Sequence, residues 1–451
     1  MMRVFRFIGV WASRYAPAVR APLGEGYRES VLWQEALPAT DPEPTAPLPS
    51  ECDGVVVGGG YCGLAAAKVL AEAGRRVLVL DRERLGWGAS TRNGGMVIPE
   101  LKAGPRTLEA HLGPLGLRLH DEVERAFDHV ESLVAGDAPD VECDYERTGQ
   151  LYVTYGDAGL ARMEQLAREH ESIGSAAHVV TGDELVAEAG STRFRAGLVV
   201  ERTGGLDPAR FHAGLARRAR DAGAALRGGA EVSRLERTSA GLVVHTSLGK
   251  VRSADVLLAT NAYADRIERR LERTVLPMGS FIIATEPLAP ELAATVLPTR
   301  RMAFDDRNLL RYWRHGPGGR LLFGGRKRLG NVGLAEARDT LYESMLDIHP
   351  QLAGVQVDRV WGGKVALTLD RLPHCGVRGR VWHATGCNGS GVALNTYMGH
   401  RMGAAIIGGA LPPFAELPER PIPLRALRRA WLPLVGTWFR AIDRRDARRA
   451  A

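Results

Sequence analysis

The chain is short of lysine, of paired cysteine and of long apolar runs, and each shortage removes a class of protein. Its five cysteines (Cys52, Cys62, Cys143, Cys375 and Cys387) are odd in number and show no CxxC spacing. A disulfide framework, a zinc site and a thioredoxin-like redox pair are excluded on that pattern, and reduced thiols in a cytoplasmic protein are expected. No apolar stretch approaches the roughly 18 residues that a membrane-spanning helix needs. The opening MMRVFRFIGVWASRYAPAV is broken early by Arg6, whereas a signal peptide needs an unbroken apolar region of about 7–15 residues. Only five of the 59 basic residues are lysine, and the net charge is +7. That charge sits at the ends. Residues 420–451 hold nine arginines against Asp443 and Asp446, and residues 1–20 hold four arginines and no acid. The body between is acidic on balance, so no nucleic-acid groove is expected across it.

What is present is an ordinary globular composition, 45% hydrophobic and 25% charged over 451 residues. Length gives a prior of two or three domains. Residues 34–50 are proline-rich and read as an extended surface segment. Regular texture then begins. Gly54-Val55-Val56-Val57 is a buried-strand run, Gly58-Gly59-Gly60-Tyr61-Cys62-Gly63 a glycine turn, and Leu64 to Leu70 an alanine-rich helix. Arg76 to Leu80 reads as a second strand closing on Asp81. This is one βαβ unit. In Gly58-x-Gly60-x-x-Gly63, the first glycine permits the tight turn, the second lets the backbone approach a pyrophosphate, and the third lets helix pack on strand. Asp81 is placed to accept hydrogen bonds from a ribose diol. On these residues alone NAD and FAD both remain open.

βαβ-like texture returns at 205–260 after a stretch of different character, which predicts a domain assembled from separated segments. A second glycine cluster, Gly389-Ser390-Gly391, precedes a predicted helix from Val392 to Ile407 whose positive end favours negative charge. Arg326-Lys327-Arg328 reads as a solvated loop. The terminal segment interleaves arginine with Trp431, Leu432, Leu434, Trp438 and Phe439. It reads either as a tail packed on the body by its aromatics or as a peripheral contact with an anionic membrane surface.

Two separated motifs carry a family resemblance. VVVGGGYCGLAAAKVLAEAGRRVLVLDRERLGWGASTRNGGM, followed far downstream by Trp361-Gly362-Gly363, Asp370-Arg371-Leu372-Pro373 and Gly386-Cys387-Asn388-Gly389-Ser390-Gly391-Val392, resembles the FAD-dependent amine and amino-acid oxidoreductases of the D-amino-acid oxidase / glycine oxidase superfamily. The WGAS-x-RNGG form and the tail look most like the γ-glutamylputrescine oxidoreductase branch. The resemblance implies an α/β fold: a Rossmann-like FAD-binding domain built from discontinuous segments, plus an α+β substrate domain with an antiparallel sheet. The boundaries it implies are a lead-in over 1–50, FAD-binding segments at 51–145, 201–265 and 361–415, substrate-domain segments at 146–200 and 266–360, and a basic aromatic tail over 416–451.

The resemblance also implies site residues. Gly58, Gly60 and Gly63 would meet the pyrophosphate, Asp81 the ribose, and Arg82 the adenosine. Ala89, Ser90, Asn93, Gly94 and Gly95 would line the ribityl chain and flavin. Val232 would lie against adenine and Thr260 near the cofactor, with Gly386, Asn388, Gly389, Ser390, Gly391 and Val392 at the flavin. Substrate-pocket candidates are Tyr312, Arg314 and Met278. Relatives with covalent flavin carry a cysteine where this chain has Gly363, or a histidine near Arg92, so non-covalent FAD is expected. The lysines that sarcosine oxidases use map onto Leu322 and Ala393, and most relatives have histidine at Ser390. The expected reaction is oxidation of a primary or secondary amine or amino acid. Hydride passes from the carbon next to nitrogen to flavin N5, the imine then hydrolyses, and a γ-glutamylputrescine-like amine is the leading substrate. The acceptor would be oxygen, a quinone or another electron carrier. Rival readings are a flavin-bound partner protein without turnover, a membrane-surface dehydrogenase passing electrons to a quinone, and an NAD-dependent dehydrogenase, against which the second glycine cluster speaks.

Overall fold

The computed structural model describes residues 19–36, 46–239, 241–264, 267–326 and 332–450. The arginine-rich opening and part of the proline-rich segment lie outside these residues. Two large sheets organise the rest. The first contains β1 (Glu51–Val57), β2 (Val77–Leu80), β3 (Ala225–Arg227), β4 (Val232–Thr238), β5 (Gly241–Thr246), β6 (Gly249–Leu258), β7 (His374–Arg378) and β8 (Val381–Thr385). Its order is β4-β5-β6-β1-β2-β3, with β8 joining β6 and β7 joining β8. The pairs β6–β1, β1–β2, β2–β3 and β6–β8 are parallel. Strands buried on both faces must be continuously apolar, and Val55 to Val57 and Val77 to Leu80 are all buried. Helix α1 (Tyr61–Glu72) covers one face of this sheet together with α2 (Gly391–Ile406). The two helices touch closely because Gly399 lies against the Cys62 backbone, where a Cβ would come within 2.0 Å of the Cys62 carbonyl oxygen.

The second sheet runs Leu23–Arg28, Val357–Leu367, Leu276–Thr285, Leu321–Gly325, Arg311–His315, Met302–Asp305, Gln150–Thr154, Ala196–Val200 and Ala177–Val180 among the described residues. It is mainly antiparallel. Two features differ from the sequence expectation. Leu23–Arg28 is an edge strand, parallel to Val357–Leu367, so the lead-in contributes to the second sheet. Trp33 just beyond it is 2% exposed, and its indole N–H donates to the Asn93 carbonyl at 2.9 Å. Likewise the strand Val357–Leu367 carries Trp361 and Gly363 in the second sheet, so that sheet extends beyond residue 360.

The tail forms α3 (Arg428–Ala450). Leu432 is buried, and Trp431, Val435 and Phe439 pack with it against Met278 and Leu309. Leu427, Leu434 and Trp438 on the outer side stay exposed. Among the described residues no helix is long and apolar enough to cross a membrane.

Candidate active site

The glycine turn after β1 lines a cavity of about 540 Å³ whose walls come from both sheets, within the range of small-molecule and cofactor sites. Gly58 has φ +107°, a conformation glycine adopts without steric penalty. A Cβ on Gly60 would lie 2.8 Å from Ser90 Oγ, and Ser90 Oγ accepts from the Tyr61 N–H at 3.1 Å. Gly60 and the loop after Asp81 are therefore in direct contact. The first turn of α1 presents N–H groups with no intrahelical acceptor, toward which an anion is drawn.

Asp81 closes β2. Its Oδ2 accepts from the Gly59 N–H at 2.9 Å and its Oδ1 from the Glu83 N–H at 3.1 Å. Burial raises the Asp81 carboxyl pKa, and these two bonds oppose the rise. Each oxygen keeps a further lone pair for a ligand hydroxyl. Below the turn, His212 Nε2 lies 2.7 Å from the Gly59 carbonyl. A carbonyl can only accept, so the ring donates there; burial keeps the imidazole pKa low.

The cavity brings together most of the residues singled out from sequence. Gly58, Gly60, Asp81, Arg82, Ala89, Ser90, Asn93, Gly94, Val232, Thr260, Asn388, Gly389, Ser390, Gly391, Val392 and Tyr312 all line it. Five others do not. Gly63 packs helix on strand: a Cβ there would sit 1.9 Å from the Gly58 carbonyl oxygen. Gly95 (φ +71°) is pressed against the Leu206 carbonyl. Gly386 (φ +79°) forms the turn, and its N–H donates to Asn261 Oδ1 at 3.0 Å. Arg314 is spent on the backbone: its Nη1 donates to the carbonyls of Gly94, Gly95 and Leu206 at 3.3, 3.2 and 3.1 Å. It stitches the RNGG loop to the second sheet, and burial pulls its pKa down to about 10. Met278 lies beneath α3.

Two lining residues, Tyr263 and Lys364, had no sequence signal of their own; with Trp87, Arg92 and Gly363 they surround one stretch of the cavity. Arg92 donates to the Trp87 carbonyl at 2.6 Å and the Gly362 carbonyl at 3.2 Å, and its guanidinium lies over the Trp87 ring. Trp361 in turn donates to the Arg92 carbonyl at 3.0 Å. Of the expected solvated run, Arg326 lines the cavity and is only partly exposed, whereas Lys327 and Arg328 lie outside the described residues. The available signal was strand alternation. Tyr312 pairs with Gly324, and its ring occupies the space a Gly324 side chain would take, so the Gly324–Arg326 face is the cavity face.

The residues present suit a long dinucleotide. Asp81 and the glycine turn line the cavity together with Glu231 and Val232. The open N-terminus of α2, whose cap position Ser390 makes no side-chain capping bond, lines it as well. Tyr152, Phe304, Leu310, Tyr312 and Arg326 lie on the second sheet or at the ends of its strands.

Comparisons with known proteins agree with this geometry. A family profile described as FAD dependent oxidoreductase (DAO) matches residues 53–405. The chain is 31% identical to the γ-glutamylputrescine oxidoreductase of Escherichia coli over 404 residues, covering 87% of this chain and 93% of that one. Among solved structures, glycine oxidase from Geobacillus kaustophilus superimposes with TM-score 0.68 at 21% identity, covering 81% and 98% of the two chains. L-proline dehydrogenase from P. horikoshii does so with TM-score 0.66 at 20% identity, covering 81% and 96%.

Proposed function

The chain belongs to the DAO family of FAD-dependent oxidoreductases, and from that premise we propose that it oxidises an amine of the γ-glutamylputrescine type with non-covalently held FAD. It is an enzyme acting on amines or amino acids, and FAD is its cofactor. The observation that carries the finer reading is the single cavity joining the dinucleotide turn to the Tyr312 face of the second sheet, in a chain similar over most of its length to an oxidoreductase of that substrate.

When bound, FAD supplies the acceptor for hydride from the carbon next to nitrogen. The chain's own residues prepare the substrate. Met96, Ile98, Phe304 and Leu310 wall the substrate end with apolar surface. An ammonium entering there loses solvation, its pKa falls, and the neutral amine is favoured. Tyr312 contributes a phenol that burial keeps protonated and that shares a hydrogen bond with Ser280 Oγ at 3.4 Å. Gly58, Gly60, Asp81 and Val232 would hold the adenosine diphosphate portion; Ser90, Asn93 and Gly94 the ribityl chain; and the α2 N-terminus the flavin ring. The Gly363 and Arg92 positions supply no thiol or imidazole, so no covalent attachment is made through either.

The test is anaerobic titration of the purified flavoprotein with a panel of amines and amino acids that includes γ-glutamylputrescine. Loss of the flavin band near 450 nm with that compound supports the reading. Bleaching only by unrelated amino acids overturns the substrate while leaving the enzyme class. Recovery on admitting air separates an oxidase from a dehydrogenase.

A second reading of the acceptor has one observation in its favour. Leu427, Leu434 and Trp438 are exposed in an arginine-rich segment, chemistry that suits an anionic lipid surface and delivery of electrons to a quinone there. Flotation with phosphatidylglycerol vesicles but not phosphatidylcholine vesicles, lost in Trp438→Ser, is the expected outcome. Equal behaviour in both sets it aside.

A further inference from the structure

The chain segment that follows the RNGG loop alternates. Met96, Ile98, Glu100 and Lys102 line the cavity, whereas Val97, Pro99 and Leu101 are buried and do not line it. A period of two is that of an extended chain, so successive cavity-facing positions present two apolar groups, then an acid, then a base. Gly94, just before the segment, lies against the Tyr312 ring, where a Cβ would come within 3.2 Å of it. Along the chain, the apolar pair Met96 and Ile98 therefore stands between the Tyr312 contact and Glu100.

The other acids near the substrate end are engaged. Asp305 accepts from Arg311 at 2.7 Å, and Asp306 accepts from Thr154 and Arg162, both at 2.5 Å. Glu100 is different: among the described residues it has no ion pair and no side-chain hydrogen bond. Lys102, its neighbour on the same face, directs Nζ to Ser390 Oγ at 3.4 Å instead. Tyr152 and Phe304 line the same cavity as a stacked pair with centroids 4.6 Å apart. Burial raises the Tyr152 phenol pKa to about 12 and the Glu100 charge adds to the rise, so the two groups are within electrostatic reach. A free carboxylate with aromatic rings close by is a combination that holds an ammonium: the carboxylate accepts charge-assisted hydrogen bonds, and the ring faces attract the cation. The cofactor brings phosphates, which an acid repels, so Glu100 is left for another ligand.

We propose that Glu100 is a specificity-determining residue that holds a second cationic group of the substrate: the amine oxidised is one end of a molecule whose two positive nitrogens are separated by an apolar chain lying along Met96 and Ile98. This rests on the amine-oxidoreductase reading above, and the experiment separates the two.

The holoenzyme is titrated anaerobically with 1,5-diaminopentane and with hexylamine, in which a methyl group replaces the second ammonium. The concentration dependence of the flavin spectrum is followed, perturbation and bleaching alike. The expected result is half-saturation by the diamine at a concentration about tenfold or more below that for hexylamine, the effect of one hydrogen bond to a charged group. That preference should fall to within about twofold in Glu100→Gln and be partly kept in Glu100→Asp, while the hexylamine value moves by less than about twofold in either. Equal or tighter binding of hexylamine by the unmutated protein overturns the proposal, as does absence of any response to the diamine, and neither outcome needs a variant. Undiminished preference in Glu100→Gln overturns it as well. If the diamine perturbs the flavin selectively but no amine in the panel bleaches it, the cation site stands and the oxidation reading fails. If amines bleach the flavin without preference for the diamine, the reverse holds.

Discussion

Asn308 is tied twice to Asp443: its backbone N–H and its side-chain amide both donate to Oδ1, at 3.1 and 2.8 Å. Asn308 lines the cavity and Asp443 lies on α3, so the terminal helix holds one wall of the substrate end in place. Asp443→Ala removes these two hydrogen bonds and a third, from the Leu309 N–H to Oδ2 at 3.4 Å, together worth about 1–3 kcal/mol. The expected outcome is a several-fold rise in KM with the oxidised flavin spectrum unchanged. Steady-state kinetics and a spectrum of the resting protein check it.

Gly63→Ala is expected to be severe although Gly63 is not among the cavity-lining residues. The added methyl would meet the Gly58 carbonyl oxygen at 1.9 Å and press Val56 at 3.1 Å, forcing α1 away from β1. Overpacking of this kind costs about 1–3 kcal/mol or more. The protein should purify with little flavin and melt several degrees lower, as differential scanning calorimetry and the ratio of absorbance at 450 to 280 nm will report.

Glu419 links the segment before the tail to the first sheet. Its carboxylate pairs with His383 at 2.7 Å and with Arg378. Burial pushes its pKa up, but the two partners outweigh that and hold it at about 2. A carboxyl whose folded pKa lies below its unfolded value stabilises the fold above the unfolded pKa, and that contribution drains away as pH falls. Stability from this group should therefore decline from about pH 4.5 toward pH 2. In Glu419→Gln the acid-side fall in melting temperature should be shallower and the neutral-pH stability lower. Thermal melts across pH 3–7 decide it.

Acid precipitation of the purified protein should leave the flavin in the supernatant. Gly363 has no thiol and Arg92 no imidazole; Arg92 Nε and Nη1 instead donate to the Trp87 and Gly362 carbonyls. Yellow colour retained in the washed pellet would show a covalent link through another residue.

The parts legible in sequence were those where local chemistry and function coincide. The turn Gly58-x-Gly60, Asp81 at the end of β2 and the Gly389-Ser390-Gly391 start of α2 each follow from residues adjacent in the chain, and all of them line the cavity. The substrate end was less legible because it is assembled by strand register. Tyr312 and Arg314 share one face by alternation, yet the approach of Gly94, Gly95 and Leu206 captures the Arg314 guanidinium, while Tyr312 remains at the cavity. Arg326 sits in an arginine–lysine run that looks solvated until the pairing of Tyr312 with Gly324 shows which way its strand faces. Met278, expected at the substrate pocket, is instead covered by α3, a contact that joins residues more than 150 positions apart.

The interleaving of the two sheets has a consequence for how the molecule comes to exist. β1 waits for β6 roughly 200 residues later, and β6 for β8 more than 100 residues after that, with second-sheet strands emerging between them. Loop closure on that scale is paid before the parallel pairs return any stabilisation. Neither sheet can be completed during synthesis while the other is still to come, so the walls of the cavity meet only near the end of folding, when the strand of Gly363 and the turn of Gly389 are in place.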